Sequence, residues 1–387
     1  MIDLLFGMSF LIFPFMVTYL LYCANVEIIK LNISNFLLLN LFVFSYFGIL
    51  PLFYKLDSYR VEMGVTSSET LFTLYLFAML AISFYALGLM LASRVKVTTD
   101  KKLPVFIEND KLIFVIMACS LPLFAATIYS YVSSLKSVAL FIALQLVSGD
   151  SMLSRSDMSN GFDGYHWFKL INQDVLIFML LWSYAKTFSN SSFNYIFYIL
   201  LLMATFSVIL TTEKAPFIWL IASLFAVKVF IKNDRMPPLK SLLIFGSFSV
   251  LVMTAFYASF MNMGFDRLGD AFFSIFSRLF AGSIQPAYHY LDYFSVNNYL
   301  LGASFPNPGG LLPFNNFYLT QEIMDFVKPS NALLGIKGTM PTVFWGEAYA
   351  NFGTLGVMFI SFFIAFSLKC VDNYFDGRNL SSLGLAL

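Results

Sequence analysis

The sequence predicts an all-α protein that crosses a membrane many times, and three observations predict it. Hydrophobic residues make up 59% of the 387 residues while only 12% are charged, where soluble domains carry about 25% charge. Mean hydropathy is +0.77, more apolar surface than a soluble fold of this size hides. Apolar runs of about 20 residues, the length a helix needs to cross ~30 Å of hydrocarbon, recur along the chain and are separated by polar breaks.

The runs place spans at 2–24, 33–54, 70–93, 111–133, 169–188, 195–211, 215–231, 241–260 and 342–369. The tail from Gly377 to Leu387 turns apolar again and starts a tenth span or ends an incomplete one. The first run has no Lys or Arg ahead of it and no small-residue cleavage pattern after it, so it reads as a retained span, with the mature chain starting at Met1. The chain thus reads as one polytopic membrane domain over 1–387.

Orientation follows from basic residues in short loops, which mark the retained side of a bacterial inner membrane. Arg94, Lys96, Lys101, Lys102 and Lys111 lie between spans three and four, and Lys228, Lys232, Arg235 and Lys240 between spans seven and eight. Placing both in the cytoplasm puts Met1 outside and exposes 55–69, 134–168 and 262–341 to the exterior. The acids agree: 15 of the 22 Asp and Glu residues fall on the outer side. Within the spans the apolar spacing is too continuous to reveal a face.

Several function classes are excluded or lack support. No Walker loop, HExxH, GxSxG or dinucleotide fingerprint occurs. The three cysteines, Cys23, Cys119 and Cys370, show no CxxC spacing, which argues against a disulfide frame or zinc site. A net charge of +1 gives no reason to expect nucleic acid as a partner. No acidic cluster has metal-ligand spacing, so no metal or other cofactor is expected.

Chemistry is therefore sought in the outer segments. The segment 262–341 is about eighty residues long and rich in aromatic residues, which predicts that it folds against the membrane, with short helices, and is not disordered. At 100° per residue, Arg267, Asp270, Ser274, Arg278, Gln285, His289 and Asp292 fall within an arc of about 120°, with Ala281 and Gly282 between them. Pro286 should bend or break that helix. The stripe reads either as the wet face of an interfacial helix or as an anion site. Arginine suits the second reading, because its planar fork of donors matches phosphate and never loses its charge; Arg267 and Arg278 would then hold a lipid diphosphate. His289 and Asp292 read equally as structural hydrogen-bonding groups.

Other polar groups lie along the same outer side. The turn Thr211–Pro216 holds Glu213 and Lys214, a local ion pair or a ligand contact. Arg155, Asp157, Asp163, Tyr165, His166 and Trp167 mix charge with aromatic groups at a membrane edge, and Val138–Val147 is too short to span and reads as a surface helix. Glu347 should lie about two turns into the ninth span, where an acid needs a wet cavity or a partner such as Lys337 or an outer arginine. Gly346, Gly353 and Gly356 allow close packing there.

Two stretches carry a resemblance: Asn298-Tyr-Leu-Leu-Gly302-Ala-Ser-Phe-Pro306-Asn-Pro308-Gly-Gly, and Pro341-Thr-Val-Phe followed by Gly346-Glu347-Ala-Tyr349-Ala-Asn351-Phe-Gly353. With Ser277-Arg278-Leu-Phe and Glu213-Lys214-Ala-Pro216, they resemble the Wzy-type O-antigen polymerases, or oligosaccharide repeat unit polymerases, over about a third of the chain. The resemblance implies a GT-C-like glycosyltransferase of the bacterial inner membrane, with its active site facing the periplasm. Donor and acceptor would both be oligosaccharides on undecaprenyl diphosphate, and inner-membrane lipids and a chain-length regulator protein would be further partners.

Under that resemblance, Arg278, then Arg267 and Lys214, would stabilise the departing diphosphate. His289, Glu347 and Asp292, in that order, are candidate bases for the acceptor hydroxyl. Arg155 and His166 would contact substrate, and Tyr288 and Tyr349 would offer stacking faces to sugar rings. The neighbouring alternatives are an O-antigen ligase and a lipid-linked oligosaccharide flippase or other transporter. The Gly346–Gly353 stretch favours the polymerase over the ligase, and charge in long outer loops is unlike a transporter.

Overall fold

A computed structural model describes residues 2–95, 109–134, 164–210, 214–233, 236–260, 268–307, 310, 313, 316–330 and 338–375. The described residues form helices and no strand. Six helical stretches are long and apolar enough to cross a membrane: Leu5–Cys23, Ile33–Phe53, Ser68–Ser93, Asp110–Ser134, Phe193–Leu210 and Phe344–Phe375. The protein is therefore a polytopic membrane protein. The other three expected spans are helical too, but their described residues fall short of that length or apolar character. The surface helix expected at 138–147 and the tail beyond Asp376 lie outside the described residues.

The chain packs as two compact units. The first is discontinuous, Met1–Thr99 with Phe272–Asp376; the second is Asp100–Ala271, with 377–387. In the first unit, α1 (Ile2–Cys23) buries Phe6, Phe10, Phe13, Val17 and Leu21 along one side. Its other side, with Leu11, Ile12 and Phe15, stays exposed and equally apolar, as lipid-facing helices require.

Asn32 caps α2 (Ile33–Asn40) by accepting from the Asn35 amide at 2.8 Å. A π-helical stretch, Leu41–Tyr46, then turns Ser45 and Tyr46 inward. There the Tyr46 hydroxyl meets that of Tyr75 at 3.2 Å, and Tyr75 donates to Ser9 Oγ at 2.9 Å. Short helices α3 (Ile49–Phe53) and α4 (Ser58–Glu62) follow. The long α5 (Ser68–Ser93) starts at a Ser67 cap.

Helix α5 packs on α15 (Phe344–Phe375) more extensively than any other pair of helices. Gly88 makes the approach possible: a Cβ there would lie 2.5 Å from the Phe362 carbonyl oxygen and 2.8 Å from Ala365 Cβ. At one end of this pair, Asp372 accepts from the amides of Ile33 and Ser34 at 3.3 and 3.0 Å, and so caps α2 from the far end of the chain. Tyr85 and Asn373 add hydrogen bonds to the Ser34 and Ala92 carbonyls.

The single helix expected from 267 through 292 is two. Helix α12 (Leu268–Leu279) ends at Phe280, and α13 (Ala281–Val296) begins after it, carrying Pro286 within. The break falls at Phe280, whose carbonyl is seated against Gly48, where a Cβ would lie 2.5 Å away. Pro286 is accommodated within α13 six residues later. A further short helix, α14 (Leu319–Val327), packs under α13 through Leu319 and Ile323.

The second unit comprises α6 (Asp110–Ser134), α7 (Tyr165–Lys169), a π-helical stretch Leu170–Val175, α8 (Leu176–Thr187), α9 (Phe193–Leu210), α10 (Lys214–Lys232) and α11 (Leu239–Phe260). Phe124, Leu176, Leu180, Phe193 and Leu200 form its core. Lys186 Nζ pairs with Asp110 at 2.7 Å, and Asn190 donates to the same carboxylate at 3.2 Å, joining the ends of three helices. At the opposite ends, Tyr131 and Phe168 stack at 4.2 Å.

Candidate functional site

Two polar clusters in the first unit meet on α13, which turns one side to α4 and the adjacent side to the start of α15. On the first side, α4 presents Arg60, held by Asp57 one turn earlier with Nε 3.5 Å from Oδ2. Arg60 Nη1 donates to Gln285 Oε1, and Ser277 Oγ donates to Asp57 Oδ2. Gln285 Nε2 lies 3.2 Å from His289 Nε2. Gln285 and His289 are buried, and Tyr288 between them accepts from the Ser67 amide at 3.1 Å. Burial pushes the His289 imidazole down to about 4, so it is neutral at physiological pH.

On the second side, Glu347 lies in the first turn of α15, not two turns in, and the helix N-terminus favours its charge there. Its carboxylate accepts from Ser304 Oγ at 2.8 Å. Asn351, one turn on, donates to Ser304 Oγ at 2.8 Å and accepts from the Gly302 amide at 2.9 Å. The amides of Leu300 and Leu301 bond to the Ala350 and Asn351 carbonyls at 3.0 Å each. This is possible because α15 is interrupted at Gly353, whose φ of 61° and ψ of −148° open the backbone. The Tyr290 hydroxyl donates to the Met340 carbonyl at 3.2 Å, and burial, then the Glu347 charge, pushes that phenol up.

The expected site residues divide as follows. His289, Glu347, Tyr288 and Tyr349 are brought to these clusters. Tyr288 is 3% exposed, so its ring faces are covered by packing and not open to a sugar. Tyr349 is half-buried, edge-on to Phe77 at 4.9 Å and to Tyr299 at 5.7 Å. Arg278, in the last turn of α12, is exposed and makes no ion pair among the described residues, and Asp292 is exposed. His166 is exposed on α7 in the second unit. Lys214 opens α10 but its side chain, like Arg155, Arg267 and Lys337, lies outside what is described. The partner Glu347 does show is Ser304, not an arginine.

The stripe of 267–292 does not present one face to water. The turn at Phe280 separates its two halves, and Gln285 and His289 point inward, where Arg60 meets Gln285 and Gln285 meets His289. Arg60, Asp57 and Ser304 were not singled out from sequence. An Asp-x-x-Arg spacing in 55–69 was the available signal, and it matches an ordinary i,i+3 surface pair. Among the described residues no group of three His, Cys, Asp or Glu side chains is placed to hold a metal.

The fold and site define a polytopic, all-helical membrane protein with a half-buried guanidinium linked to a buried amide and imidazole beside a half-buried carboxylate. Comparison with protein-family models, with curated proteins and with solved structures finds no match.

Proposed function

We propose that this chain is a Wzy-type repeat-unit polymerase, a glycosyltransferase that lengthens oligosaccharides carried on undecaprenyl diphosphate at the periplasmic face of the bacterial inner membrane. The observation that carries the reading is the pairing of the two stretches that bear the family likeness. Residues 300–304 and 347–351 are hydrogen-bonded to each other around the Glu347 carboxylate.

Topology supports the reading. With nine spans and Met1 outside, every contact that joins helix ends in the first unit links ends on one side. Asp57, Arg60, Ser67, Gln285 and Glu347 gather on the outer side; Asp372, Ser34, Tyr85 and Ala92 gather on the inner.

In the proposed reaction the acceptor hydroxyl gives its proton to a base and its oxygen bonds to the donor's anomeric carbon. The bond from that carbon to the diphosphate breaks, and the electron pair leaves with the diphosphate. Glu347 is the favoured base, because it is partly exposed while the Nε2 lone pair of His289 is already engaged. Exposed Arg278 stabilises the charge that develops on the leaving diphosphate, aided by Arg267 and Lys214.

Deleting the gene in its host and resolving surface polysaccharide on a gel tests this. A polymerase predicts collapse of the ladder to a single repeat on the lipid core, and Arg278→Ala and Glu347→Gln should fail to restore it while accumulating in the membrane. Complete absence of attached repeats would instead indicate a ligase, and an unchanged ladder would overturn both.

A further inference from the structure

We propose that Arg60 is a positioning residue: through the side-chain amide of Gln285 it fixes His289 as the Nδ1–H tautomer, with the Nε2 lone pair occupied. The inference rests on donor and acceptor inventory. A guanidinium has only donors, so the group of Gln285 that faces Arg60 Nη1 has to be the amide oxygen. The amide nitrogen is then the atom turned to His289 Nε2 at 3.2 Å, and since that nitrogen donates, Nε2 accepts. A neutral imidazole whose Nε2 accepts carries its proton on Nδ1.

The chain is anchored at its origin. Asp57 pairs with Arg60 Nε and receives the Ser277 hydroxyl, so the guanidinium cannot swing away without leaving a buried carboxylate with one partner fewer. Gly282 completes the seat, for a Cβ there would stand 2.8 Å from Arg60 Nη2. Arg60 and Asp57 come from the segment between the second and third apolar runs, and Gln285 and His289 from the segment before the last. One function of the short 55–69 segment is therefore to set the protonation pattern of a helix more than 200 positions away.

The chain holds two histidines, so [15N]histidine labelling of the full-length protein in lipid nanodiscs gives two ring systems, and His166→Gln assigns them. The expected spectrum shows His289 with a pyrrole-type Nδ1 and a pyridine-type Nε2. Arg60→Lys, still donor-only, should keep that pattern. Arg60→Met frees the amide to turn and should shift His289 towards the Nε2–H form. Gln285→Glu, which offers acceptors to both neighbours, should reverse the tautomer or protonate the ring. An Nε2–H tautomer in the unaltered protein, or an unchanged pattern in folded Gln285→Glu or Arg60→Met, overturns the proposal, and the first of these needs no variant to fold.

A role in chain growth rests on the polymerase reading and is scored separately: Arg60→Met should lose the long-chain ladder and Arg60→Lys retain it. A tautomer that responds as expected in a strain whose ladder never depended on the gene would leave the positioning role standing and remove the polymerase.

Discussion

Gly353 holds a backbone conformation, φ 61° and ψ −148°, that is essentially closed to residues with a Cβ, and a Cβ there would also fall 2.9 Å from the Tyr299 ring. Gly353→Ala should therefore destabilise the first unit by about 1–3 kcal/mol. Tyr299→Ala should restore only the steric part, which thermal unfolding of the two single variants and the double variant would separate. His289 gives a pH signature. Its folded value lies near 4, below the ordinary 6.5, so the unfolded chain binds the proton first as pH falls. Stability from this residue is intact above pH 6.5 and is lost progressively down to about pH 4. Unfolding temperatures of the wild type should sag across that window relative to His289→Asn, and parallel curves would refute the assignment. Sequence reading singled out His289 from a polar stripe at helical spacing and Glu347 as an acid inside an apolar run. It missed Arg60 because what matters about Arg60 is who faces it, a property of packing between distant segments.

Element boundaries were largely legible, since runs of twenty apolar residues leave little choice but helix, and each expected span coincides with described helix, six of them long and apolar enough to cross a membrane. Faces were not. Helix α1 buries Phe6, Phe10, Phe13 and Val17 yet exposes Leu11, Ile12 and Phe15; when lipid and protein are equally apolar, periodicity carries no contrast. The same limit hid the break at Phe280, where a proline six residues later looked the better candidate and the close approach to Gly48, more than 200 positions upstream, was not legible. Close approach makes sharper predictions at this scale. Gly88→Val should force α5 and α15 apart against the Phe362 carbonyl and cost about 1–3 kcal/mol or more, as overpacking does. Detergent-solubilised protein should show this as a lowered unfolding temperature, whereas Gly246→Val, with nothing within 4 Å of its added Cβ, should not.

For the molecule as a whole, the topology proposed from the basic loops is open to a direct check. In a background with Cys23, Cys119 and Cys370 replaced, a cysteine at exposed Asn298 should react with a membrane-impermeant maleimide added to the periplasm, and one at exposed Asn233 only after the membrane is opened. The reverse pattern would invert the topology and with it the proposed site. Residues 1–99 and 272–376 form one unit although about 170 residues separate them in sequence, and Asp372 supplies the carboxylate that the first amides of α2 need. A ribosome makes those partners more than 300 residues apart. The early helices must wait in the membrane, with the Gly88 groove empty and the Ile33 and Ser34 amides of α2 without their carboxylate, until α15 is released. A chain stopped at residue 343 should accordingly insert but be cleared rapidly in pulse–chase labelling, and its persistence would show that the early helices are self-sufficient. The time for which the nascent protein depends on insertases and escapes quality-control proteases should thus lengthen with any delay in releasing α15.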